Sequence, residues 1–333
     1  MIPSELLRNP YKFVFKTERA NMNNSLERLK ELQSLPLERK VGFTAARIAE
    51  FYKAMNGKVV VSFSGGKDST VLLYITRKLF PDVRAVFADT GLEYPEIRDF
   101  VKTFPNVDIV KPEMPFNRVI KEYGYPVISK EVSQRIYEYR KNHDGVAACY
   151  LGFRKWDETK FNHLKMCANA AKYAYLVDAP FEISHLCCYE MKKKPLHKYQ
   201  KEHGVSPMMA TMADESYRRR ITWAMYGCNV LAGKNPRSAP MSFWTEQDVL
   251  AYIKQMNIPI ASVYGDIVQT ADRGGAYNDR SKTNRMYVLH VRRTPRKRTE
   301  QIPTDVLYSS ETMGLLHQPI RSETSPRLYQ RAI

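Results

Sequence analysis

The residues best suited to chemistry form one nearly unbroken run: Ser62, then Ser64, Gly65, Gly66, Lys67, Asp68, Ser69 and Thr70. Two adjacent glycines let backbone N–H groups approach an anion with no Cβ in the way. A helix starting at this point would add the partial positive charge of its N-terminus. Lys67 supplies a full cation, and the hydroxyls supply further donors. The run therefore has the makings of a cradle for phosphate or sulfate. It is not a Walker loop, because the G-x-x-x-x-G-K spacing is absent. A second candidate set is Asp89, Thr90, Gly91 and Glu93, whose acids suit a ribose or Mg²⁺. A third comprises Glu215, Ser216 and Arg219, where the guanidinium suits phosphate oxygens. Cys187 and Cys188 are adjacent, so they do not readily close on each other, but both are soft ligands for a metal or cluster.

The surrounding pattern supplies elements to hold these groups. Lys58 to Phe63 is a short β-branched run, expected as a buried parallel strand, and Ser69 to Leu79 is expected as the helix after the loop. Arg84–Ala88 and Val107–Val110 read as further strands, with a helix over Pro95–Thr103 between them. Asp89 and Glu93 then fall at the C-terminal end of a strand, where open α/β sheets bind ligands. Alternating strand and helix with short links predicts an α/β fold with a doubly wound parallel sheet. Residues 1–57 read as a helical N-terminal arm, 58–273 as the nucleotide domain, and 274–333 as an irregular, disordered tail. Residues 130–180 read as mostly helical, and Thr245 reads as the cap of a helix with acids in its first turn.

Composition narrows the class. The 333 residues are 44% hydrophobic, enough for a sizeable core. No apolar run approaches the roughly 20 residues of a membrane span, and the first residues do not read as a signal peptide. A cytoplasmic location is the expectation. Five cysteines, an odd number, argue against a disulfide framework. A net charge of +17 points to polyanionic partners, nucleotides or nucleic acid among them.

The ordered motifs carry a resemblance. Ser64–Ser69 resembles the PP-loop of adenine-nucleotide α-hydrolases, and the whole set resembles the phosphoadenosine phosphosulfate (PAPS) reductase family within that group. Ala88–Glu96 resembles the family's second-strand motif. Cys187-Cys188 with Lys194-Pro195-Leu196 resembles its paired-cysteine segment. Glu215-Ser216-x-x-Arg219 resembles its phosphate-holding segment, and Pro240-x-x-x-Trp244 its helix entry. The likeness runs over roughly residues 55 to 270. It implies an α-hydrolase-like sheet, an adenine nucleotide (PAPS or ATP) with Mg²⁺, and sulfonucleotide reduction with a redox partner. It equally admits the ATP-using sulfurtransferases that act on nucleic acid, or a nucleotide-binding partner without turnover. Gly124-Tyr125-Pro126 with Ser129-Lys130 reads as a loop over the nucleotide's outer end, with Lys130 reaching a second phosphate.

Two departures from the family stand out. No cysteine follows Cys228, so neither a late Glu-Cys-Gly segment nor a late Cys-x-x-Cys pair is present. Cys187 and Cys188 would then be two of the four ligands that a [4Fe–4S] cluster needs. The tail offers a reason. Met286 is encoded only by ATG and Tyr287 begins with T, so the frame one base later forces a cysteine. The following codons permit Cys-Met-Phe-Cys-Met-Phe-Gly, which restores the missing pair. On this reading the basic tail, nine basic against four acidic residues from Asn284 onward, is a frame-shifted translation. His185 reads as a packed or surface histidine. Tyr137, Tyr139, Trp156, Tyr173 and Tyr175 read as helix packing rather than base stacking.

Overall fold

The computed structural model describes residues 22–155, 170–270 and 275–278. The tail beyond residue 278, with its candidate frame shift, lies outside them.

Among the described residues two helices come first: α1, Met22–Ser34, and α2, Leu37–Ala54. β1, Val59–Ser62, then runs into the glycine loop and α3, Lys67–Leu79. β2 (Ala85–Ala88), α4 (Pro95–Lys102) and β3 (Val107–Val110) continue the alternation. After α5 (Phe116–Tyr123), α6 (Lys130–Asn142) and α7 (Gly145–Tyr150) the chain reaches a 3-10 segment, Ala170–Asp178. A π turn, Tyr189–Lys193, leads into α8, Lys194–His203, and β4, Ser206–Met208. α9 (Tyr217–Tyr226), the two-residue strands β5 (Asn229–Val230) and β6 (Arg237–Ser238), and α10 (Glu246–Met256) follow.

These strands form a six-stranded sheet in the order β3-β2-β1-β4-β6-β5. All neighbours are parallel except β5 and β6. Where the alternation predicted a doubly wound parallel sheet, the chain adopts a mixed α/β fold whose sheet is mostly parallel, with the antiparallel pair β5–β6 at one edge. β1 shows why its sequence has no polar positions at its start. Val59 and Val61 pack with α2, α3 and α4 residues on one face, while Val60 joins Val86 and Tyr199 on the other. A strand covered on both faces needs apolar residues at both phases of its period of two.

α2 is part of the core rather than a peripheral element: Val41, Ala45, Ile48 and Phe51 are fully buried in the main cluster. It also anchors the entry to α10. Trp244 donates from Nε1 to Thr44 Oγ1 at 2.8 Å, and buried Lys40 pairs with Asp248 at 2.7 Å. Asp248 in turn accepts from the backbone N–H of the cap Thr245, completing a capping box. The start of α10 is thus fixed against a core helix far away in sequence.

One reading is corrected. Regular structure does not end near Gly274: Gly275–Asn278 forms β8, paired antiparallel with β7, Ile267–Thr270. Four residues facing four others through a short connection give too little alternation to be read as strands from sequence alone.

Candidate functional site

The loop between β1 and α3 depends on a backbone that only glycine adopts comfortably. Gly65 has φ +68°, in the left-handed region. A Cβ there would stand 2.8 Å from the γ-methyls of both Ile97 and Val101 on α4. The helix therefore presses against the loop where a side chain would otherwise project. The hydroxyls then lock the turn. Ser64 donates its N–H to Ser69 Oγ at 3.2 Å, and Gly66 donates to Ser64 Oγ at 3.3 Å. Ser69 and Thr70 donate to the Gly66 carbonyl at 2.9 and 3.0 Å. The serines and threonine expected as ligand donors thus also stitch the loop together. The first-turn amides of α3 have no intrahelical acceptor, which is what makes such a terminus an anion site.

Lys67 is buried, and its ammonium lies 3.3 Å from Glu246 Oε1 and 3.6 Å from Asp68 Oδ1. Glu246, at the start of α10, was not among the sequence candidates. It stands 179 positions from Lys67, and only the packing of Trp244 and Asp248 against α2 brings it there. Asp68 feels Glu215 as well as Glu246, while Lys67 pairs with both Asp68 and Glu246.

Burial pushes the Asp68 carboxyl above its ordinary range; Lys67 opposes this, and Glu215 and Glu246 add to it. A raised carboxyl holds its proton more tightly folded than unfolded. Its contribution to stability is fullest below the ordinary carboxylate range and is lost as pH rises through the raised value. Asp68→Asn is therefore expected to match the wild type in acid and exceed it at neutral pH. Urea denaturation across that range would show the gap opening as pH rises; a constant gap would contradict the assignment.

The remaining candidates fall into neighbouring groups. Glu93 is buried and accepts from the Thr90 N–H at 3.0 Å and from Thr90 Oγ1 at 2.9 Å. Lys192 reaches it at 3.4 Å from the π turn. Asp89 accepts from the Gly91 N–H at 3.1 Å and pairs with Arg98 at 3.0 Å. Arg219 pairs with Glu215, which also accepts from the Met212 N–H at 2.9 Å. Ser216 caps α9, its Oγ accepting from the Arg219 N–H at 3.3 Å. A cleft of about 100 Å³ opens between the C-terminal ends of β1 and β2. It is lined by Ser62, Phe63, Ser64, Val86, Phe87, Ala88, Glu93, Lys192 and Leu196. Lys192 is a second residue that sequence reading missed. Its position depends on the π turn, which inserts an extra residue per turn and re-aims the side chain.

Cys187 and Cys188 precede that turn and pack with Val119, Met191 and Leu92. Burial, then the neighbouring Cys188, pushes the Cys187 thiol above its ordinary range. No group of three or more His, Cys, Asp or Glu suited to a metal occurs among the described residues. Two thiols without further ligands do not fit a [4Fe–4S] cluster there. The loop of residues 124–129 is tied to the segment ahead of the cysteines. Tyr125 donates to the Glu182 carbonyl at 2.7 Å, and Ser184 donates to the Tyr125 carbonyl at 3.0 Å. Lys130 opens α6 under the Ser129 cap and acts electrostatically on Cys187. Among the described residues, no helix is long and apolar enough to cross a membrane.

A parallel α/β sheet with a glycine loop between its first strand and helix places the chain among proteins built on a PP-loop type of architecture. The family model described as the phosphoadenosine phosphosulfate reductase domain matches residues 58–169 and 159–270. The chain belongs to that family. It is also similar to sulfate adenylyltransferase subunit 2 of Pseudoalteromonas translucida, 26% identical over 62% of this chain and 60% of that one. The same subunit of Vibrio cholerae is 27% identical over 65% and 63%. The chain thus spans less than two thirds of the length of these relatives. A crystal structure of PAPS reductase from Candida auris is similar at 14% identity and a TM-score of 0.39, over 77% of this chain and 98% of that one.

The Lys67–Glu246 contact carries an expectation of its own. Glu246 is half exposed and competes with any anion for the ammonium. Glu246→Gln is expected to tighten ATP binding by up to about fivefold, the worth of a partly exposed ion pair. Calorimetric titration measures it, and weakened binding would mean that Glu246 serves the ligand instead.

Proposed function

We propose that the chain binds an adenine nucleotide, its diphosphate or phosphosulfate end on the loop 64–70 and its base in the cleft between β1 and β2. The observation that carries this is Lys67: a buried ammonium at a helix N-terminus, beside a glycine loop held open by its own hydroxyls. The strand ends at residues 62–64 and 86–88 line a cleft that suits a flat heterocycle, with Leu196 also on its wall. Glu93 lies on the same cleft and suits the ribose. Asp68 suits Mg²⁺ once phosphate oxygens complete the shell, since its buried Oδ1 has no hydrogen-bond partner. The metal would neutralise phosphate charge.

Of the two reaction readings, ATP use with pyrophosphate as leaving group has the better support. Sulfonucleotide reduction by the chain's own cysteine requires a thiolate, and Cys187 is held toward the neutral thiol. The matched relatives named sulfate adenylyltransferase subunits agree in direction. In this reading Lys67 and the loop amides bind the phosphates and steady the charge that grows on the departing pyrophosphate. Titrating the protein with ATP, PAPS and AMP, with pyrophosphate release followed in parallel, tests both levels. Tight binding of ATP or PAPS over AMP supports the site, and pyrophosphate release supports the ATP reading. Equal weak binding of all three would remove it.

A further inference from the structure

Among the described residues that line the cleft between β1 and β2, Glu93 is the only acid and Lys192 the only cation. The two are held very differently. The Glu93 side chain is 4% exposed and accepts from the Thr90 N–H at 3.0 Å and from Thr90 Oγ1 at 2.9 Å. Thr90 Oγ1 also accepts from the Leu92 N–H at 3.2 Å, so the carboxylate is built into the turn that follows β2. Lys192 is 37% exposed and stands 3.4 Å from Glu93, farther than a close hydrogen bond. The ammonium can swing toward solvent, whereas the carboxylate cannot move without undoing the turn.

The fixed polar feature of this wall is therefore an acceptor. An acid at the end of a strand suits the hydroxyls of a ribose. It does not suit a phosphate ester, which at neutral pH carries a charge of about −1.5 to −2 and presents further acceptors. The contrast with the loop 64–70 is direct. There an anion meets a helix N-terminus and Lys67. Beside Glu93 it would meet one ammonium that already faces a buried acid, while Thr90 Oγ1 already donates to that acid.

We infer that Glu93 sets which adenine nucleotides the cleft takes: it accepts from free ribose hydroxyls and excludes a nucleotide with a phosphate on the ribose, and Lys192 limits that repulsion. The ligand class is then a 5′-substituted adenosine with an unesterified ribose, such as ATP. This departs from the matched family, which is named for a nucleotide phosphorylated on its ribose. The inference rests on the adenine-nucleotide reading of the site. A Glu93 that only tied the turn at residues 90–93 would affect all adenine nucleotides alike, whereas a selecting Glu93 changes the ratio between them.

The test uses the full chain and calorimetric titration with two pairs of probes. Adenosine 5′-phosphosulfate and PAPS differ only in the 3′-phosphate, and ATP and 2′,3′-dideoxy-ATP only in the ribose hydroxyls. The wild type is expected to prefer adenosine 5′-phosphosulfate over PAPS by about tenfold or more, the effect of bringing like charges together. It is expected to prefer ATP over the dideoxy form by about tenfold, the worth of a hydrogen bond to a charged group. Glu93→Gln should shrink both ratios. Lys192→Met should enlarge the first, because the cation that limits the repulsion is gone. Should thermal unfolding show that Glu93→Gln does not fold, the wild-type ratios and Lys192→Met decide. Equal affinities within either pair in the wild type, or ratios that neither variant moves, would overturn the inference and leave the nucleotide site standing. Absence of binding by ATP, adenosine 5′-phosphosulfate and PAPS alike would overturn the site itself and the inference with it.

Discussion

Lys67→Ala is expected to lower the affinity for ATP or PAPS by about tenfold to a hundredfold. The ammonium is the one full cation held inside the loop, and a hydrogen bond to a charged group contributes about 1.5–3 kcal/mol. Removing it also leaves Asp68 and Glu246 facing the phosphates without the ammonium that pairs with both. The effect on folding should be small, because Lys67 makes its ion pairs to two acids that both keep some access to solvent. Lys67→Arg should recover part of the affinity, since it restores charge but not the shape of a buried ammonium. Calorimetric titration with thermal unfolding as a control decides the matter. Undiminished affinity in the alanine variant would mean that the anion binds elsewhere.

Gly65→Ala is expected to destabilise the fold by about 2–5 kcal/mol. The left-handed backbone costs a side-chain-bearing residue about 1–2 kcal/mol, and forcing a methyl into occupied space costs about 1–3 more. The obstacle cannot swing aside cheaply. Ile97 and Val101 are β-branched residues on a helix, both fully buried, with χ1 close to fixed. Gly204, at the end of α8, supplies the control. It has a similar φ of +60°, but nothing lies within 4 Å of the Cβ position. Gly204→Ala should therefore show the backbone cost alone, and the difference in urea midpoints between the two variants isolates the packing cost. Equal losses would show that α4 does not brace the loop.

What could be read from sequence was whatever is local. The loop announced itself through adjacent glycines after a β-branched run, and β1 to β3 followed from short apolar runs with turns between them. Glu215 and Arg219 were legible as members of one motif, but not as a pair: the arginine meets its carboxylate partner across the start of α9 rather than standing free. The missed residues depend on distant packing. Glu246 meets Lys67 only because Thr44 and Lys40 on α2 fix the start of α10. Lys192 meets Glu93 only because a π turn follows the two cysteines. Strands of two residues, β5 and β6, are too short to show a period, yet they close one edge of the sheet and carry Arg237. The paired cysteines were legible as a motif, but their burial was not, and it is burial that sets the state of the Cys187 thiol.

A crystal structure of the full chain with a non-hydrolysable ATP analogue bears most directly on the account. Phosphate oxygens should lie within hydrogen-bond distance of the amides at residues 65–69 and of Lys67 Nζ, with Glu246 displaced and the adenine against residues 86–88. Phosphates found away from that helix terminus, with Lys67 still paired to Glu246, would contradict it.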